Sequence, residues 1–351
     1  MEGLPMARIR VAIINVTGYV GADLARILVR HPNVEIRSVT GRSEVGKKVG
    51  EVFPHLSQLD LTIESETADV DLVFCALPHK ASAEAVIPLL KKGVRVVDTS
   101  ADFRLKNPQE YQHWYEYAHP VPDALSRAVY GLPELHYEEI RNAQLVANPG
   151  CYPTSAILAL APAVKAGIVE GPIIVDAKSG VSGSGRTLNL ASHFSEVNEN
   201  VAAYGLKGHR HLPEISQELN ALSKLGPLSL TFLPHLIPMT RGMLSSCYSR
   251  LNTGVTPRAE NAEAEIRAMY KAFYAKSPFV QVVDYPPQTK YTLGSNMCLV
   301  HPAVDQRTGT LIVISCLDNL VKGAAGQAIQ NMNIMMGFPE ASGIDMLPLY
   351  P

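Results

Sequence analysis

The strongest constraint on the fold lies in residues 1–150, where short apolar runs alternate with helix-like stretches. "RIRVAII" is rich in β-branched residues and reads as a strand buried on both faces. Next, Leu24, Ile27 and Leu28 repeat at helical spacing until "HPN" ends the helix. "VEIRSVT", "VDLVFCALP", "GVRVVDTS" and "AQLVAN" are further strands, and a second helix is expected from Ala81 to Lys92. Such alternation predicts an α/β fold with a Rossmann-like, doubly wound parallel sheet over residues 1–150.

After Cys151 the pattern changes. The helix-like "PTSAILALAPAVKAG" is followed by "PIIVDAKSG", "LSLTFLPHL", "GMLSSCYSRL", "NMCLVHPAV" and "TLIVISCLDN", with a helix from about Glu260 to Ala275 among them. "DQRTG" joins the last two strands as a hairpin-like turn. Strands in runs with few helices predict an α+β domain with a mixed or antiparallel sheet over residues 151–318. The final helix, "LVKGAAGQAIQNMNIMMG", is rich in small residues that allow close backbone approach, so residues 319–351 are expected to return to the first domain. Two domains also suit a chain of 351 residues, too long for one ordinary core.

A formal net charge of −2 gives no basic surface for nucleic acid or a membrane. No run of 18 apolar residues is present, so no spanning helix is expected. "MEGLPMARIR" lacks the apolar core of a signal peptide. The five scattered cysteines fit a reducing, cytoplasmic setting without disulfides.

The turn "NVTGYVG" after the first strand resembles a dinucleotide-binding turn in which Gly18 and Gly21 are present and Asn15 stands in the first glycine position. Gly18 lets the backbone approach a pyrophosphate and Gly21 lets helix and strand pack closely. Asn tolerates the left-handed conformation, so Asn15 is expected to adopt a glycine-like backbone. Thr17, Gly18, Tyr19, Val20 and Gly21 are therefore candidate cofactor contacts. At the end of the second strand, Thr40, Arg42 and Ser43 offer hydroxyls and a guanidinium where an NAD site would have an acid. That exchange favours the 2′-phosphate of NADP(H).

"NPGCYPTSAILAL" places Cys151 between a strand and a helix, where unpaired N–H groups and the helix dipole favour thiolate, the form that acts as nucleophile. Cys75, Cys247, Cys298 and Cys316 lie in apolar strands and are expected to be inert. "GLKGHRHLPEI" supplies His209 and His211 as candidate acid/base groups, with Glu214 close by. The two histidines could also be metal ligands or surface residues, but no third ligand is evident and no metal is expected. "KSGVSGSGR" is a second glycine-rich loop that can present N–H groups and Arg186 to an anion. Arg104 follows the fourth strand, where ligand loops of a parallel sheet lie; a structural Arg104–Asp102 pair is the plainer alternative.

In order along nearly the whole chain, "TGYVGADL", "ALPH", "DTSADFRL", "YGLPEL", "NPGCYPT", "SGVSGSGR", "GHRHLPEI", "PHLIPMTRGM" and "DNLVKGAAGQA" carry a resemblance to the N-acetyl-gamma-glutamyl-phosphate reductases, and more broadly to the aspartate-semialdehyde dehydrogenase-like proteins. The resemblance implies NADPH-dependent reduction of N-acetyl-L-glutamyl 5-phosphate to the 5-semialdehyde and inorganic phosphate, a step of arginine biosynthesis. It implies that Cys151 forms a thioester and that a protonated imidazole, His211 before His209, supplies the proton. Arg104 and Arg186 are candidates for the substrate anions, with Glu214 and Asn148 as further substrate contacts. On the cofactor side, Leu77, Pro78 and His79 of "ALPH" are expected along the dinucleotide. Ser179, Gly180, Ser182, Gly183 and Asn319 join them, with Asn319 near the nicotinamide. By the same resemblance a homodimer or homotetramer is expected.

Two departures from the family pattern, Asn15 and Lys80 (the latter where the family commonly has glycine), both fall on the cofactor side. The alternatives are a sister reductase of the aminoadipyl type, an aspartate-semialdehyde dehydrogenase, a cysteine hydrolase or acyltransferase, and a non-catalytic NADP-binding regulator. The last would need no ordered nucleophile.

Overall fold

The computed structural model describes residues 8–252, 254 and 261–351, and contains two compact units. The first spans the described residues up to Pro149 together with Ala324–Met346; the second comprises Gly150–Gly323 and Leu347–Pro351.

In the first unit, strands β1 (Ile9–Ile14), β2 (Val34–Thr40), β3 (Ile63–Glu64), β4 (Leu72–Cys75), β5 (Arg95–Asp98), β6 (Val129–Tyr130) and β7 (Leu145–Ala147) form one sheet in the order β3-β2-β1-β4-β5-β7-β6. Every pairing is parallel. Helices α1 (Tyr19–Leu28), α2 (Val49–Val52), α3 (Ser82–Lys91), α4 (Pro108–Tyr115) and α5 (Pro133–Arg141) lie between the strands in sequence. Val11, Ala12 and Ile13 are fully buried, as a strand covered on both faces requires. A core of Val73, Cys75, Val96, Phe103 and Leu125 is covered by Ala83 and Val86 of α3. The expected parallel sheet is thus present; β3, β6, α2, α4 and α5 are additions that the pattern does not reveal. The two strands are two residues long, and α4 buries only Tyr111 and Tyr115, too few for a periodic signal.

The second unit opens with α6 (Cys151–Ala166), then β8 (Val169–Gly180), α7 (Phe194–Val197), β9 (Ala202–Ala203), α8 (Leu212–Leu222), β10 (Leu230–Ile237) and β11 (Met243–Leu251). Helix α9 (Ala262–Phe273) and strands β12 (Val280–Val282), β13 (Cys298–Asp305) and β14 (Thr310–Leu317) complete it. The expected start of α9, Glu260, lies outside the described residues. The sheet order is β12-β13-β14-β11-β8-β10-β9. It is mixed: β8 runs parallel to β10 and antiparallel to β11, and β13 and β14 form the hairpin around "DQRTG".

Helix α6 is apolar nearly all round and buried continuously from Tyr152 to Val164, as such a composition demands. The hydroxyl of Ser155 rivets it to the sheet, meeting Ser245 Oγ of β11 at 2.8 Å and Ser315 Oγ of β14 at 2.6 Å. Tyr270 and Tyr274 of the α9 segment donate to the carbonyls of Ala159 and Leu158 on its other flank. The start of α6 is therefore fixed by its whole length.

The last helical segment begins as a π-helical turn, Val321–Ala325, and continues as α10 (Gly326–Met336), which packs on α1, α5 and β5. Among the described residues no helix is long and apolar enough to cross a membrane.

Candidate active site

The first unit builds a dinucleotide-type cradle at the carboxyl ends of its strands. Asn15 sits at φ +67°, in the left-handed region expected of it. Its side chain adds something a glycine would lack: Nδ2 donates to the Ala76 carbonyl at 2.8 Å, tying the β1 turn to the end of β4. The Thr17 hydroxyl donates in turn to Asn15 Oδ1 at 3.3 Å. Gly21 cannot be replaced without displacement, since a Cβ there would strike the Asn15 carbonyl oxygen. Helix α1 then starts at Tyr19 and Val20 behind Gly18 with no side-chain cap and no acid in its first turn. Its N-terminal N–H groups suit an anion, so the residues present fit the diphosphate of a dinucleotide.

The neighbouring loops carry the other predicted groups. Thr40 ends β2 and is buried, Gly41 follows, and Arg42 and Ser43 are exposed. Leu77, Pro78 and His79 follow β4, with the His79 ring 5.7 Å from that of Tyr115. Asp102, fully buried, accepts from Lys80 N, Ser82 N, Ala83 N and the Tyr111 hydroxyl, so it caps α3. Arg104 donates to the carbonyls of Asn148 at 2.9 Å and Thr99 at 2.8 Å. Asn148 is fully buried: its Nδ2 donates to the Ala324 carbonyl, and its Oδ1 accepts from Asn331 Nδ2. Arg104 and Asn148 are thus brought together as one buried bracket.

The second unit holds the nucleophile candidate. Cys151 is the first residue of α6, not merely near it, with Gly150 as the extended N-cap. Cys75, Cys247, Cys298 and Cys316 are buried, whereas Cys151 is partly exposed. Burial pushes the thiols of Cys247 and Cys316 up to about 12, which keeps them protonated. Cys151 stands instead at the head of α6, the helix end whose N–H groups favour an anion. Gly323 packs against it so tightly that a Cβ there would lie 2.8 Å from Cys151 Cβ.

Helix α8 begins just after His211. Its buried Glu214 accepts the Gly150 N–H at 2.8 Å, bonding the start of α8 to the residue before the thiol. The rings of His209 and His211 lie 6.0 and 5.9 Å from that of Tyr152, the residue after Cys151. The two histidines differ. His209 is boxed by Tyr152, Tyr204 and Phe232, and its Nδ1 accepts the His211 backbone N–H at 3.1 Å. Burial, then the Arg210 charge, push it down to about 4, so it is neutral at neutral pH. His211 is held at the mouth of α8 by that backbone contact.

Sequence-distant residues also converge around "KSGVSGSGR". Asn319 Nδ2 donates to Ser182 Oγ at 2.9 Å, and Asn319 Oδ1 accepts the Gly242 N–H at 2.8 Å. A Cβ at Gly183 would lie 3.3 Å from Ser179 Oγ and 3.8 Å from Asn319 Nδ2, and one at Gly180 would meet the Thr240 carbonyl at 2.7 Å. Arg186 stands exposed beyond this cluster. The sequence reading missed Tyr152 and Tyr204, whose hydroxyls meet at 3.2 Å, and Gly323; their role is contact, for which no local motif exists.

Known proteins bear on this geometry. A family model described as semialdehyde dehydrogenase, NAD binding domain, matches residues 10–143, and one described as semialdehyde dehydrogenase, dimerisation domain, matches 151–319. The chain is 55% identical over 347 residues to an N-acetyl-gamma-glutamyl-phosphate reductase of Dehalococcoides mccartyi, covering 99% of this chain and 100% of the relative. It is 48% identical to one of Heliobacterium modesticaldum, over 98% and 100% of the two chains. Among solved structures, aspartate semialdehyde dehydrogenase with NADP from Candida albicans superposes with TM-score 0.70 at 15% identity, covering 94% and 99%. Aspartate semialdehyde dehydrogenase II complexed with ASA from Vibrio cholerae gives 0.69 at 17%, covering 94% and 98%. These last two show the fold.

Proposed function

The chain belongs to the semialdehyde dehydrogenase family, and on that premise we propose that it is a reductase of N-acetyl-L-glutamyl 5-phosphate, yielding the 5-semialdehyde and inorganic phosphate. The observation that carries the chemistry is Cys151, the partly exposed cysteine at the head of a buried helix. The full-length 55% identity to a reductase of that name carries the substrate.

The Cys151 thiolate attacks the acyl carbon and phosphate leaves, giving a thioester. When bound, the nicotinamide cofactor supplies the hydride that reduces this thioester. His211 donates the proton to the resulting oxyanion, and as the hemithioacetal collapses its hydroxyl returns that proton to His211, releasing the aldehyde and the thiolate. His209, neutral and boxed, orients His211 through its backbone rather than exchanging protons. Glu214 holds Gly150, and with it the helix start on which the thiolate depends. The ring of Tyr152, directly after the nucleophile, lies against both histidines.

The family carries a nicotinamide-dinucleotide domain; NADP(H) is our finer reading. It is supported by exposed Arg42 and the absence of an acid from Thr40 to Ser43. Thr17, Gly18, Tyr19, Val20 and Gly21 would hold the diphosphate, and Leu77, Pro78 and His79 would line its path. Ser179, Gly180, Ser182, Gly183 and Asn319 would face the nicotinamide. Arg104, Arg186 and Asn148 would bind or support the substrate anions.

A homo-oligomer is supported by the second sheet. Its face opposite α6 carries partly exposed Leu244, Tyr248, Ile312 and Ile314, with Ile174 at 44% exposure.

The reaction run backwards tests the reading. Purified protein with N-acetylglutamate semialdehyde, phosphate and NADP⁺ should produce NADPH absorbance that depends on phosphate. No phosphate-dependent signal would contradict the function, and equal efficiency with NAD⁺ would contradict the NADP preference.

A further inference from the structure

Among the described residues with a left-handed backbone, Asn15 and Lys80 stand in the adjoining β1 and β4 loops, at φ +67° and +71°. A long side chain has no steric reason to occupy that region, and such strained positions gather at functional sites. The strain at Lys80 is held from below: its N–H donates to the buried carboxylate of Asp102 at 2.8 Å. Asp102 also takes the N–H groups of Ser82 and Ala83, at 3.1 and 3.0 Å. The first-turn donors of α3, which could otherwise face an anion, are therefore consumed internally.

What the loop presents outward is the Lys80 side chain. It is exposed, its ammonium lies 5.7 Å from the centre of the Tyr117 ring, and no carboxylate among the described residues pairs with it. Stacking on an aromatic face leaves the ammonium protons free for a further acceptor. The position is defined by pairing: β1 and β4 are neighbours, Ala76 N donates to the Ile14 carbonyl at 3.0 Å, and Asn15 Nδ2 donates to the Ala76 carbonyl. Lys80 thus stands in the loop stitched to the uncapped head of α1.

We propose that Lys80 is a phosphate-binding residue of this site, its ammonium contacting phosphoryl oxygens of the dinucleotide or of the acyl phosphate. The assignment rests on the reductase reading, and Asp102 and Tyr117 are its positioning residues. The left-handed backbone then has a use: Asp102 holds the Lys80 N–H while the side chain reaches over the Tyr117 ring.

Two variants test this. Lys80→Asn removes the charge but tolerates the backbone; Lys80→Arg keeps the charge. NADPH binding is followed by fluorescence titration, inorganic phosphate by its KM in the reverse reaction and by calorimetry, and folding by thermal melts. Lys80→Asn should melt no lower than the wild type and bind one of the two ligands roughly five- to tenfold more weakly, with Lys80→Arg restoring most of the loss. Wild-type affinity for that ligand should also fall more steeply with salt than the variant's. Weaker NADPH binding assigns the cofactor, and a higher phosphate KM alone assigns the acyl phosphate. Unchanged affinity for both ligands in Lys80→Asn overturns the proposal. A wild type without turnover contradicts the reductase reading instead, and the two binding titrations still decide Lys80.

Discussion

The carboxylate of Glu214 accepts the backbone N–H of Gly150 at 2.8 Å, so the helix that begins beside His211 is bonded to the residue that precedes Cys151. Both partners are buried. Removing the acceptor leaves a buried N–H unsatisfied, which costs about 1–3 kcal/mol. Glu214→Ala should therefore lower the denaturation midpoint and reduce kcat at least tenfold. Glu214→Gln, which keeps a carbonyl acceptor, should preserve most of the stability; denaturant melts paired with initial rates separate the two.

Gly323 is needed for closeness rather than for backbone freedom. A methyl at that position would sit 2.8 Å from Cys151 Cβ. Gly323→Ala should displace the thiol, and alkylation of Cys151 by iodoacetamide should slow several-fold relative to the wild type. An unchanged alkylation rate would show that the contact relaxes without consequence.

Asn15 separates two contributions to the cofactor turn. Asn15→Gly keeps the left-handed backbone and loses only the bond to the Ala76 carbonyl, a net of about 1 kcal/mol. Asn15→Ala loses the bond and adds about 1–2 kcal/mol of left-handed strain. NADPH affinity should fall in the order wild type, Gly, Ala. A glycine variant that binds more tightly than the wild type would mean the side-chain tie is dispensable.

Acid sensitivity should trace partly to His209. Its folded value near 4 lies below the ordinary imidazole value of 6.5, so in that window the unfolded chain binds the proton and the folded chain does not. Stability is then fully present above about 6.5 and lost as pH falls towards 4, by about 2–3 kcal/mol. Asp98 acts oppositely: burial raises it to about 6, so its contribution is present below about 4 and lost as pH rises through 6. The comparison must therefore be differential. The gap in melting temperature between wild type and His209→Gln should widen in favour of the variant between pH 6.5 and 4. His211→Asn should cut kcat by about 10²–10⁴.

How much of this was legible in the sequence follows from locality. The β1 turn, the end of β2 and the head of α6 each span a few consecutive residues, so Asn15, Arg42 and Cys151 could be singled out as candidates there, and the left-handed backbone of Asn15 and the helix-start position of Cys151 are found in the structure. The stretches around Arg104 and Asn148 are readable as positions but not as partners. Nothing in "DTSADFRL" shows that Arg104 donates to the carbonyl of Asn148. Nor does spacing reveal that Asn319 reaches Ser182, or that Gly323 presses on Cys151, because those contacts are made by strand order in the second sheet. The aromatic box around His209 is likewise made by Tyr152, Tyr204 and Phe232, which two histidines flanking one arginine cannot declare.

The covalent role of Cys151 is the central claim, and omission of phosphate tests it most directly. With N-acetylglutamate semialdehyde and NADP⁺ alone, the acyl group has no phosphate acceptor. A burst of NADPH stoichiometric with enzyme should appear, with a mass increase of one N-acetylglutamyl group on the peptide containing Cys151. Cys151→Ser should give neither while still binding NADPH. A burst without an adduct on Cys151, or near-normal turnover by Cys151→Ser, would contradict it.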